Sequence, residues 1–95
     1  MENKKDLDQI LLSQPRLLMM SLLKKNKSVE FTELRDQTGI APGNLSLQIK
    51  KLKLAGYVDT VKSYRDNYPL TICKITEKGE NSLRSFLSDV NELLD

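Results

Sequence analysis

Apolar positions recur along this chain at two different spacings, and the change between them separates helical from extended stretches. Leu7, Ile10 and Leu11 stand at i, i+3 and i+4 and predict a short helix over residues 3–13. Pro15 suits the first turn of a second helix, because it lacks only an N–H that would be unpaired there. That helix is expected to run to about Lys25, with Leu18 and Leu22 on one face and Lys24 and Lys25 facing the negative end of its dipole. Ser28-Val29-Glu30 reads as a short extended piece. Thr32 is the expected N-cap of a brief helix through Thr38, with Leu34 inward and Gly39 in the left-handed stop position. After a tight turn at Ile40, Pro42 opens a helix over residues 42–55 that ends at Gly56. Leu45, Ile49 and Leu52, at i, i+4 and i+7, define its buried stripe.

From Tyr57 the chain turns β-branched and aromatic. Residues 57–64 and 70–76 read as two strands, joined by the polar segment Arg65-Asp66-Asn67-Tyr68-Pro69 as a five-residue hairpin tip. The last helix covers residues 77–94, with Thr76 as its cap and Glu77 and Glu80 in its first turn. Leu83, Phe86, Leu87, Val90, Leu93 and Leu94 make one apolar stripe along it. The predicted fold is thus mainly α with a small β-hairpin. Two helices around a tight turn, followed at once by a hairpin, describe a winged helix-turn-helix, whose second helix enters the DNA major groove while the hairpin reaches an adjacent groove or backbone.

Composition narrows the chemistry. With 95 residues there is room for one domain, and 39% apolar against 29% charged residues is the balance of a soluble protein, not of a disordered or membrane one. The longest apolar run, Leu17-Leu18-Met19-Met20, is far too short to span a bilayer, and the N-terminus leads into no signal-like segment. The chain has no His and one Cys, Cys73. Ser-His and Cys-His catalysis, the usual metal sites and an intrachain disulfide are therefore excluded, and no cofactor is expected. The expectation is a cytoplasmic, non-enzymatic domain. Net charge is only +2, yet residues 39–68 hold five basic and two acidic side chains while residues 69–95 hold three and five. The middle third is the basic part, a footprint that suits an anionic polymer.

On the helix over 42–55 the side opposite the buried stripe carries Gly43, Leu47, Lys50, Lys51 and Leu54, with Asn44 and Gln48 on one flank. Gly43 lets a phosphate approach backbone N–H groups at the positive end of the helix. Asn44 and Gln48 offer amides that pair with adenine edges, and Lys50 and Lys51 offer phosphate or guanine contacts. Leu47 suits either a thymine methyl or a neighbouring protein surface. In the hairpin, Lys62, Tyr64 and Arg65 are the expected DNA contacts, Arg65 in a minor groove, whereas Tyr68 is expected to pack beneath the turn.

The stretch from Arg16 through Phe86 resembles the winged-helix DNA-binding family that includes the MarR and ArsR regulators. The likeness rests on Ser28-Val29-Glu30-Phe31-Thr32-Glu33-Leu34, Gly43-Asn44-Leu45-Ser46, Lys50-Lys51-Leu52, Ala55-Gly56-Tyr57-Val58, Pro69-Leu70-Thr71 and Ile75-Thr76-Glu77-Lys78-Gly79. The resemblance implies a transcriptional regulator that binds DNA as a homodimer, with Asn44 and Ser46 at the start of the recognition helix. Two positions depart from the family pattern: Gln48 stands where His is usual, and Ala41 where Asp or Ser often caps the helix.

The expected organisation is a winged-helix core over residues 15–78, flanked by terminal helices over 1–14 and 79–95. Leu7, Ile10, Leu11, Leu83, Phe86, Leu87, Val90, Leu93 and Leu94 are the expected dimer interface, although the first two turns of the last helix can also fold back on the core. A two-fold dimer predicts recognition helices about 34–36 Å apart and a palindromic operator. The leading expectation is a homodimeric repressor on double-stranded DNA. The alternative is a winged-helix protein–protein interaction module, which Leu47 and Leu54 favour. A small-molecule effector fits a cavity between the terminal helices and the core, but no motif names one. Cys73, alone in a strand, is expected to be buried and inert.

Overall fold

The computed structural model describes residues 6–95. Its elements are α1 (Gln14–Asn26), β1 (Ser28–Glu30), α2 (Phe31–Thr38), α3 (Pro42–Leu54), β2 (Val58–Arg65), β3 (Tyr68–Ile75) and α4 (Glu77–Leu94). This is the order of a winged helix-turn-helix, with α2 and α3 as the helix pair and β2–β3 as the wing. The strands form one antiparallel sheet in the order β1-β3-β2, with Val29 opposite Cys73 and Val58 opposite Ile75.

The helix expected over 3–13 is not formed in its described part, and residues 3–5 lie outside the described residues. Asp8 explains the difference. Its Oδ1 accepts the N–H groups of Ile10 (2.8 Å) and Leu11 (3.3 Å), and its Oδ2 accepts the hydroxyl of Tyr57. A carboxylate that captures the next backbone donors offers the chain a turn in place of a helical ladder. The turn drops Leu11 into the chain's own core, where it is fully buried, and leaves Leu7 and Ile10 packed partly against it.

Ser13 caps α1 by accepting the Arg16 N–H, and Pro15 sits in the first turn as expected. The buried face of α1 is Met19, Met20 and Leu23, and Leu18, on the face it shares with Leu22, is 42% exposed. Helix α2 starts two residues earlier than a Thr32 cap requires, with Glu30 as its cap residue and no side-chain cap bond, and it ends on Gly39 at φ 73°. The hairpin tip is shorter than expected. Arg65 pairs directly with Tyr68, leaving Asp66 (φ 51°) and Asn67 (φ 70°) as a two-residue turn whose positive φ angles match the twist of the strands. Pro69 consequently lies inside β3 opposite Tyr64, next to the hydrogen-bonded pair at the turn. Its missing N–H therefore falls on the side away from β2, beyond the reach of β1, which pairs only with residues 72–74.

Thr76 caps α4 through a bond from the Gly79 N–H, and its hydroxyl donates to the Gly56 carbonyl. Gly79 sits where a Cβ would collide with the Tyr57 carbonyl, so α4 leaves the sheet at van der Waals contact with the end of the α3–β2 connection. The first half of α4 belongs to the core: Leu83 and Phe86 are 4% exposed. They belong to this chain's own core cluster beside α1, and with Leu11 are withdrawn from the interface expected of them. Val90 is half-buried against the same core, whereas Leu87, Leu93 and Leu94 are exposed. Among the described residues, no helix is long and apolar enough to cross a membrane.

Candidate nucleic-acid interface

Helix α3 buries Leu45, Gln48, Ile49 and Leu52, a stripe at i, i+3, i+4 and i+7. At about 100° per residue, three further strips follow. Ser46, Lys50 and Lys53 face the wing; Gly43, Leu47 and Leu54 face straight out; Asn44 and Lys51 lie on the flank away from the wing. All of these are exposed, Leu47 by 49% and Leu54 by 81%. Ala41 precedes the helix without a side-chain cap bond, so the Pro42 turn leaves first-turn N–H groups open at its positive end. Nothing within 4 Å of Gly43 would meet a Cβ there.

Gln48 is corrected from a base-reading residue to an interior one. It is 7% exposed; its Oε1 accepts from the Arg16 guanidinium (2.6 Å) and its Nε2 donates to Asn44 Oδ1 (2.9 Å). A buried amide satisfied at both ends is not available to a nucleotide.

Between α3 and the wing runs a groove of about 740 Å³, lined by Ser46, Lys50, Lys53, Leu54, Thr60 and Lys62 among others. Lys53 Nζ donates to Thr60 Oγ1 (2.8 Å) and Lys62 Nζ to Thr71 Oγ1 (3.2 Å), which holds both ammonium groups along the walls. Lys53 was absent from the sequence-based set, although its spacing from Ser46 and Lys50, at i, i+4 and i+7, marks it. A smaller groove of about 290 Å³ adjoins it, sharing Phe31, Lys62 and Thr71 and extending to Glu30, Thr32, Pro69 and Leu70. Both grooves flank the wing; neither is the cavity beneath the terminal helices that was expected to admit an effector.

Alternation along β2 sorts the wing residues. Lys62 and Tyr64 share the face of Thr60 and so point to the α3 side, while Arg65 points to the other face with Val61. Glu30 stands on that other face, two strands across, and its carboxylate holds the Arg65 guanidinium through two bonds, the one from Nη1 spanning 3.3 Å. The pairing raises the Arg65 pKa further. The structure thus does not join Arg65 to the lysine groove. Tyr64 and Tyr68 are 73% and 75% exposed, so Tyr68 does not pack beneath the turn. Burial pushes the Cys73 thiol up to about 11, and no cluster of three or more metal-ligating side chains occurs among the described residues.

Comparison with known proteins places this arrangement. The winged helix DNA-binding domain family matches residues 16–94. An uncharacterized protein of Methanocaldococcus jannaschii is 32% identical over 78 residues, covering 82% of this chain and 85% of that one. A transcriptional regulator homologue from Pyrococcus horikoshii superimposes with a TM-score of 0.87 at 31% identity, covering 93% of this chain and 87% of that chain. The regulator NadR, solved in complex with 4-hydroxyphenylacetate, superimposes with a TM-score of 0.74 at 25% identity, covering 92% of this chain and 61% of its own. The structural neighbours are MarR-family transcriptional regulators, which are not enzymes. The chain belongs to the winged helix DNA-binding domain family.

Proposed function

We propose that the protein is a homodimeric transcriptional repressor that binds a palindromic operator, with α3 in the major groove and the wing against the neighbouring backbone. One observation carries this reading: Lys50, Lys53 and Lys62 converge from two elements on a single groove beside the solvent face of α3. Three ammonium groups facing one channel repel each other unless an anionic chain lies between them, and a phosphodiester strand leaving the major groove has that form. Repression by occlusion is the mode that operator binding supplies by itself. The dimer would use the far end of α4, where Leu87, Leu93 and Leu94 remain uncovered.

Binding of labelled duplex across a salt series tests the proposal. The slope of log K against log salt is expected to be about −0.9 per neutralised phosphate, and Lys50→Ala and Lys62→Ala should each flatten it by about one unit while weakening operator and random duplex alike. The exposure of Leu54 and Leu47 on the same face favours the protein–protein module as second reading. A parent protein with no salt-dependent duplex binding would establish that alternative.

A further inference from the structure

Asn44 is the exposed polar residue at the start of the recognition helix, and its amide is not free to choose its orientation. The constraint begins at Arg16 in α1. A guanidinium only donates, so the atom of Gln48 that meets Arg16 Nη1 at 2.6 Å must be the carbonyl oxygen. Gln48 therefore turns its NH₂ group towards Asn44, and that donor requires the Asn44 oxygen, which accepts at 2.9 Å. Arg16 is itself fixed, because its Nε donates to the Ile10 carbonyl at 2.6 Å. With Oδ1 engaged inside, Asn44 presents its NH₂ group to solvent.

We infer that Arg16 and Gln48 are positioning residues that present Asn44 to the major groove as a hydrogen-bond donor, and so set which base edges it accepts. The inference rests on the DNA-binding reading above. In the major groove, guanine offers two acceptors (N7 and O6) and thymine one (O4), whereas adenine sets an amino group beside its one acceptor (N7) and cytosine presents only an amino group. Asn and adenine ordinarily pair through both ends of the amide, and with the oxygen turned inward only the single bond to N7 remains, set against the neighbouring amino group. The base pair under Asn44 should accordingly favour guanine or thymine on the contacted strand.

Gln48→Glu tests this directly. A carboxylate still accepts from Arg16 but offers Asn44 no donor, so the Asn44 amide must turn over and expose its oxygen. In the DNA-free protein, NMR hydrogen exchange should find the Gln48 side-chain NH₂ protected and that of Asn44 fast. In Gln48→Glu the Asn44 NH₂ should become protected. In selection from a random duplex library, the position whose preference disappears in Asn44→Ala should move from guanine or thymine to adenine or cytosine in Gln48→Glu, by roughly fivefold, the worth of one net hydrogen bond. Arg16→Met frees Gln48 to turn and should relax the preference without inverting it, which supplies a second variant if the first folds poorly. A rapidly exchanging Gln48 amide in the parent, or the same base preference in parent and folded variants, would overturn the inference and leave the lysine-groove reading intact. A parent without salt-dependent duplex binding would instead remove that reading, and this inference with it.

Discussion

Two glycines show how differently one side-chain atom is constrained in this molecule. At Gly79 a Cβ has no room against the Tyr57 carbonyl, and Gly79→Ala should destabilise the fold by about 2–3 kcal/mol, the cost of overpacking at a rigid contact. At Gly43 there is open space, and the helix would gain about 0.5–1 kcal/mol from alanine. Gly43→Ala should thus melt at or above the parent temperature while binding duplex more weakly, because the added methyl occupies the approach to the first turn of α3. Paired thermal melts and duplex titrations check both substitutions. If Gly43→Ala binds as tightly as the parent, the first turn of α3 does not lie against the nucleic acid. Gln48 teaches the converse lesson about reading a sequence. A polar residue at a stripe position reads as a flank residue because its partner, Arg16, lies 32 positions away and on another helix. Only packing brings the two together.

At the scale of elements, what was legible followed from local chemistry. Thr76 caps α4, Pro15 and Pro42 open α1 and α3, Gly39 closes α2, and the β-branched runs at 58–61 and 70–76 lie in β2 and β3 or at the end of β3. The failures came where one side chain overrode a pattern. Asp8 drew two backbone donors into a turn inside an otherwise helical spacing, and Pro69 looked like a breaker although its missing N–H costs nothing on the side away from β2, where no strand pairs with it. The wing also carries an internal competitor for its arginine. Glu30→Gln removes the charge that holds Arg65, and an Arg65 within reach of phosphate should then raise affinity for any duplex several-fold and steepen the salt slope by about one unit. Anisotropy titrations at three salt concentrations read both quantities. No change would show that the tip of the wing stays clear of the backbone.

Taken whole, the molecule is elongated, with principal extents of 58 × 25 × 21 Å. The core of one chain encloses Leu11, Leu83 and Phe86, so of the apolar residues expected at the dimer interface the exposed ones are Leu87, Leu93 and Leu94, all on α4. That distribution was not readable from the stripe alone, because Leu83 and Leu94 look identical in a helical pattern and differ only in what the rest of the chain covers. Leu87→Asp combined with Leu94→Asp should yield monomers by light scattering with little loss of chain stability, since both side chains are exposed. A dimeric mass for the double variant would place the interface of the proposed dimer elsewhere.

The contact at Gly79 has a mechanical consequence for such a pair. It acts as a fulcrum, and α4 beyond it is a lever of about 22 Å, so each degree of tilt swings the far tip by roughly 0.4 Å. If twin copies meet at their tips, the span between their two reading surfaces is governed by an angle fixed where a hydrogen atom, and nothing bulkier, separates helix from carbonyl. Half-site spacing would then be tuned from a residue that touches neither the DNA nor the twin.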